Sequence, residues 1–175
     1  MASRLNLTIV LATQFIAGLN AQQLNEYHVK AAFLYNFAKF VEWPPTAFHK
    51  PDTPFEICVL GLNPFGSTLD EAVQGMQVSG RSFVILKISD VAQAAGCHIL
   101  FISSSERRQL RAVLDQLKGL NILTVGETED FLASGGVIRF KLKNEQLRFE
   151  INPDAAARER LKISSKLLSL GDARK

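Results

Sequence analysis

Cysteine, histidine and charge of one sign are all scarce in this chain, and each shortage removes a class of function. Two cysteines and three histidines in 175 residues cannot supply a structural zinc site, which needs closely spaced pairs of such ligands. His28, His49 and His98 are far apart in the sequence, and each reads as structural or solvated. The 20 Lys and Arg are nearly balanced by 17 Asp and Glu. They are interspersed with the acids, so the chain lacks the basic stripe of a nucleic-acid binder. No cluster of acids stands ready to hold a divalent cation, and no cofactor is implied. Repeats, linkers and low-complexity tracts are missing too, and the hydrophobic share of 47% describes one globular domain with one core.

The only long apolar stretch lies at the start. Arg4 precedes an apolar centre from Leu5 to about Ala17, and small or neutral residues follow to Ala21. This is the pattern of a cleaved secretory signal peptide over residues 1–21, and the run is too short for the ~20 residues of a membrane span. Residues 22–175 are then a single exported domain, expected in the periplasm.

From Glu26 the sequence alternates between helical and extended patterns. A helix is expected from Glu26 until Trp43-Pro44-Pro45 stops it, because a proline pushes the residue before it towards extended geometry. Strands follow over Phe55–Gly61, Phe83–Ile88, His98–Ser103 and Ile122–Val125. Helical segments at Ser67–Gln74, Asp90–Ala95, Ser105–Lys118 and Thr128–Ala133 lie between or after them. Strands separated by helices predict an α/β fold whose sheet is mostly parallel and covered on both faces. Runs such as "HILFIS" are apolar without alternation, as doubly covered strands are. Residues 137–152 alternate instead, with a turn at Lys143–Glu145, and predict an antiparallel hairpin with one wet face. Asn152, Pro153 and Asp154 then open a helix expected to run to about Leu170.

Export changes how the cysteines read. Cys58 lies in "FEICVLG" and Cys97 begins "CHILFIS", so both sit on or beside expected strands; a bridge between them is expected, with two buried free thiols as the alternative.

Two stretches carry candidate sites. In "GLNPFGST", Gly61, Asn63 and Gly66 follow the first central strand and open a helix, where open α/β sheets bind ligands. Ser67 stands where a phosphate-cradling loop needs Lys, so a tight strand-to-helix turn using Gly61 and Gly66 is the favoured reading. Ser103, Ser104 and Ser105 end the third strand and offer hydroxyls, but no neighbouring base supports a nucleophile. Together these residues form a possible ligand crevice, the basis of an alternative reading as a small-molecule receptor or weak enzyme. The first helix is apolar over more of its circumference than a single packed layer needs. Ala31, Leu34, Tyr35 and Ala38 are therefore expected at an interface with a second copy or a partner, unless the C-terminal helix or the 44–54 loop covers them within one subunit.

Five blocks, "EYHVKAAFLYNFAKFVEWPP", "FEICVLGLNPFG", "CHILFISSSE", "ILTVGETEDFLASGGVIRF" and "RFEINPDAAARERLKISSKLLSL", occur in this order and resemble the YfiR family of exported bacterial proteins. The resemblance implies a Rossmann-like or flavodoxin-like three-layer fold, a homodimer, and a periplasmic regulator rather than an enzyme. It further implies a membrane signalling partner, a diguanylate cyclase or a sensor kinase, whose cyclic-di-GMP synthesis or other output it restrains, and sequestration by an outer-membrane lipoprotein. A second cysteine pair of the best-understood branch is missing from "FLASGGVIRF", and redox control resting on that pair does not transfer. Only the pair matching Cys58 and Cys97 remains.

Overall fold

A computed structural model describes residues 25–50 and 52–173 of the chain. The signal peptide expected over residues 1–21 lies outside the described residues. No helix among them is long and apolar enough to cross a membrane.

The chain enters as helix α1, residues 25–40, and passes into a short strand β1 (Val41–Glu42). Then follow β2 (Phe55–Leu60), α2 (Thr68–Val73), β3 (Gln77–Val78), β4 (Arg81–Ile88), β5 (Ile99–Ile102), α3 (Leu110–Gln116) and β6 (Leu123–Gly126). The last stretch holds β7 (Ile138–Lys143), β8 (Gln146–Ile151), α4 (Pro153–Arg158), β9 (Lys162–Ile163), α5 (Ser165–Leu170) and β10 (Asp172–Ala173). One mixed sheet has the order β10-β8-β7-β6-β5-β2-β4-β3, and β1 pairs with β9 apart from it. Strands β4, β2, β5, β6 and β7 run parallel; β8 pairs antiparallel with β7 from Ile138↔Ile151 to Lys143↔Gln146.

The pleat sends alternate residues of each central strand to opposite faces, and both faces are covered. On one, Ile57, Val59, Ile99, Phe101, Leu123 and Val125 meet α1, α2 and the C-terminal segment. On the other, Cys58, Leu60, Leu100 and Ile102 meet α3 and residues 94–97. Aromatic packing seats α1: Phe33 and Phe37 both contact the rings of Phe140 and Phe149, and Tyr35 packs edge-on against Phe83.

Several expected helices differ. The one expected over Ser105–Lys118 begins as a 3-10 turn, Ser104–Gln109, before α3, and Asp90–Ala95 becomes a 3-10 turn at Val91–Gly96. Thr128–Ala133 folds as turns, because Phe131 is fully buried between Gly126 and Gly136. A Cβ on either glycine would collide with its ring. The C-terminal helix breaks after Arg158: Arg160 adopts a left-handed φ of 54°, and β9 pairs Val41↔Ile163 with β1. That break folds the chain end back onto α1, with Ser164 N–H donating to the Phe40 carbonyl at 2.9 Å.

Cys58 and Cys97 are joined by a disulfide with Cα atoms 5.9 Å apart. Cys58 is in mid-strand and Cys97 closes the preceding 3-10 turn, so the bridge ties β2 to the connection entering β5. A loop of this length confers about 4 kcal/mol on the chain-entropy estimate.

Candidate functional site

In parallel sheets ligands bind beyond the carboxyl ends of the strands, where neighbouring strands leave in opposite directions. Here that point lies between β2 and β5, the strands followed by Gly61 and Ser103. The chain fills it with its own side chains. Gly61 takes a φ of +87°, and a side chain there would run into Ser105 Oγ and Glu106 Oε1. Ser105 Oγ accepts from Leu62 N–H at 3.1 Å and donates to Glu106 Oε1 at 2.8 Å. Asn63 Oδ1 accepts from Phe65 N–H at 3.0 Å, while its amide donates to the Gly66 carbonyl at 3.1 Å. Ser103 is buried and its hydroxyl accepts from Ser105 N–H at 3.4 Å, capping the 3-10 turn. Ser104 is exposed in that turn. Gly61, Asn63, Gly66, Ser103 and Ser105 thus form a hydrogen-bonded strand-to-helix junction. The Glu106 carboxylate stands beside Gly61, and the hydrogen bonds among these residues are those of a capped turn, with Gly66, Ser104 and Ser105 exposed.

The interface residues also turn inward. Ala31 and Leu34 are 0% exposed and Ala38 is 3% exposed, all within the core of the same chain, and Tyr35 is half-buried against Phe83. The physical reason is the folded-back chain end: Ala155, Ala156, Leu161 and Leu167 join the sheet in enclosing α1. Two layers, not one, account for its apolar circumference.

The patterns above missed a charge cluster where α1 meets the carboxyl end of β6. Lys30 is 3% exposed and its ammonium lies 2.5 Å from Glu26 and 2.6 Å from Glu127. Tyr27 donates its hydroxyl to Glu127 at 3.1 Å and lies under the ammonium at 4.2 Å. Burial, then the charge of Glu127, raises the Tyr27 pKa well above its ordinary value, so the phenol keeps its proton and acts as a donor. The signal was available: Lys30 lies in the same stripe as Leu34, Phe37 and Val41, one turn after Glu26. Each member of the cluster is paired with another.

At the opposite end of the sheet, His98 is 2% exposed. Its Nδ1 accepts from Glu56 N–H at 3.1 Å, which leaves Nε2–H to donate to the Ala47 carbonyl at 3.2 Å. The ring stacks on Phe48 at 4.3 Å, the Arg81 guanidinium lies over the Phe48 ring at 4.0 Å, and Trp43 Nε1–H donates to the His98 carbonyl. Burial pulls the His98 pKa down to about 4. Protonation would also destroy the bond from Glu56 N–H. An unfolded His98 binds its proton near pH 6.5 and the folded one near 4, so stability holds above pH 6.5 and falls as pH drops towards 4. The fall from this residue is about 3 kcal/mol. Urea unfolding between pH 7.5 and 4 should show it, and His98→Gln, which cannot titrate, should remove that part of the slope. An unchanged slope in the variant would refute the assignment.

Among the described residues, Glu56, Cys58 and Cys97 are the one grouping of His, Cys, Asp or Glu close enough to share a metal ion. Both sulfurs are spent in the disulfide, and burial raises the Glu56 pKa, so this set offers no thiolate ligand.

A family profile described as YfiR/HmsC-like matches residues 27–172. No curated protein matches the chain closely enough to count as a relative. Among solved structures, a conserved domain protein from Vibrio cholerae O1 biovar El Tor strain N16961 superposes with a TM-score of 0.51 at 10% identity, over 69% of this chain and 54% of that one. The ABC domain from Streptococcus pneumonia in complex with L-Trp superposes with a TM-score of 0.50 at 9% identity, over 68% and 54%. The chain spans about half the length of both, and at such identities the likeness is one of fold.

Proposed function

The chain belongs to the YfiR/HmsC-like family, and from this we propose that it is a periplasmic regulatory protein that restrains an inner-membrane diguanylate cyclase by direct contact. The family's association with cyclic-di-GMP control supports the general role. The observation that carries the mode of action is the junction at Gly61, where Ser105 and Glu106 pack beside the end of the first central strand. A regulator whose strand-end junction is taken up by its own side chains is expected to act through its surface. A sensor kinase in place of the cyclase and sequestration by an outer-membrane lipoprotein belong to the same reading.

Replacing Ser103, Ser104 and Ser105 together by Ala tests it. The lost cap costs about 1 kcal/mol, and Leu62 N–H turns to water. Cells carrying the variant in place of the wild-type gene are expected to hold cyclic-di-GMP at the wild-type level, and the cyclase is expected to co-purify with it from solubilised inner membrane. Loss of restraint at normal abundance and melting temperature would move the function into the junction and overturn the reading.

A further inference from the structure

Three ligand atoms meet near the start of β2. Cys58 Sγ, Cys97 Sγ and a Glu56 carboxylate oxygen all lie within 4.8 Å of one another, although the two cysteines are 39 residues apart in the sequence. The fold brings them together. Glu56 and Cys58 are two apart in β2, so the pleat sends both towards the face where Cys58 packs among the residues of α3. Cys97 arrives beside them because the next residue is fixed to β2: His98 N–H donates to the Glu56 carbonyl at 2.9 Å, and Glu56 N–H donates to His98 Nδ1 at 3.1 Å.

The carboxylate has room because residue 96 is glycine. A Cβ on Gly96 would stand only 3.1 Å from Glu56 Oε2. Glu56 is half-buried, and among the described residues its carboxylate takes part in no hydrogen bond or ion pair. Acidic groups drawn out of water are normally paired or hydrogen-bonded, so this one is uncommitted.

In the oxidised chain the two sulfurs share a bond and offer nothing to a cation. Reduction changes the donor set. A dithiol reductant breaks the bond by exchange: its own sulfurs become a disulfide, its electron pair passes to Cys58 and Cys97, and each of these gains a proton. A cation that takes both sulfurs as thiolates then releases the two protons to water. We propose that the reduced chain binds one borderline-soft divalent cation of the zinc type at this place, held by Cys58, Cys97 and Glu56. Zinc sits about 2.3 Å from thiolate sulfur and about 2.1 Å from carboxylate oxygen, so atoms that already lie within 4.8 Å of one another reach one ion through side-chain rotation. Thiolates select such a cation, because calcium or magnesium would find a single carboxylate here. Water takes the fourth position. Once the cation is bound the sulfurs are held apart, so metal loading and the disulfide exclude each other. The inference does not rest on the proposed restraint of a cyclase, and either can fail without the other.

The exported chain, reduced with a phosphine and freed of it under nitrogen, is titrated with Zn²⁺ against a chelating dye and with Co²⁺ to identify the ligands. One Zn²⁺ per reduced chain is expected, with a melting temperature that climbs as Zn²⁺ is added and, for Co²⁺, a sulfur-to-metal charge-transfer band. The oxidised chain should show neither the stabilisation nor the band. Losing even a group that only orients a ligand costs about 10–100-fold in metal affinity, so Glu56→Gln, which leaves both cysteines and their bridge in place, should weaken Zn²⁺ binding by the reduced chain at least about tenfold. Far-UV circular dichroism before and after loading reports whether the reduced chain is folded. A reduced chain that gains neither stabilisation nor the band, whether folded or unfolded at the outset, would overturn the proposal. Equal uptake by the oxidised chain would overturn it too, since the thiolates would then play no part. So would a reduced Glu56→Gln chain that binds as tightly as wild type, because the cation would be held by the two sulfurs alone.

Discussion

Leu34→Glu is expected to unfold the protein. Leu34 is 0% exposed, on the side of α1 that packs among the sheet residues and the folded-back C-terminal segment. Losing a fully buried leucine costs about 2–3 kcal/mol of transfer free energy, and an unpaired carboxylate in that space adds several kcal/mol more. A domain of this size has about 5–15 kcal/mol in total, so the sum removes most of it. Far-UV circular dichroism and soluble yield should collapse together. Ala32→Glu, two residues earlier on the exposed side of the same helix, should melt within a few degrees of wild type. If Leu34→Glu instead gave a folded monomer with a wild-type melting temperature, the side of α1 that faces the core would be misassigned.

The same residue marks what could be read from the sequence. Continuous apolar runs located β2, β5 and β6, because a strand covered on both faces has no reason to alternate. The alternation from Ile138 to Ile151 located the two strands that each show a more polar face. Export and strand positions favoured a Cys58–Cys97 bridge over two free thiols, and the structure holds the bridge.

What failed was set by contacts distant in sequence. The excess apolar circumference of α1 was visible, but its cover was not, because that cover depends on a helix breaking. Residues 153–170 have ordinary helical composition. The left-handed Arg160 and the pairing of β9 with β1 exist because β1 offers Val41 as a strand partner more than a hundred residues earlier. Likewise "TEDFLA" has helical propensity, yet burying the Phe131 ring against Gly126 and Gly136 outweighs the few backbone bonds of one short helix. The junction at Gly61 misled for a related reason. Its glycine spacing is that of a ligand loop, whereas the residues that fill it, Ser105 and Glu106, arrive from the next strand's connection.

Removing Glu127 is expected to be the most damaging single change to a polar residue. Glu127 is the acceptor for both Lys30 and Tyr27, and Lys30 has almost no access to water. Glu127→Ala leaves the ammonium with Glu26 alone, which is the more exposed of its two carboxylates, and leaves the Tyr27 hydroxyl without its acceptor. Breaking a buried pair from one side costs about 3–5 kcal/mol. Glu26→Ala should cost well under half of that, because water can replace part of what Glu26 supplies. The double variant Lys30→Met with Glu127→Gln removes both charges and keeps an acceptor near Tyr27, so it should be markedly more stable than Glu127→Ala. Urea unfolding at pH 7 gives all the values. The arrangement also suggests what the charges contribute beyond stability. The contacts among Phe33, Phe37, Phe140 and Phe149 are apolar and non-directional, while the Lys30–Glu127 contact requires one register of α1. The double variant should therefore fold with near-native stability but broaden the side-chain resonances of those four phenylalanines. A Glu127→Ala protein within about 1 kcal/mol of wild type would show that the cluster is solvated and sets neither stability nor register.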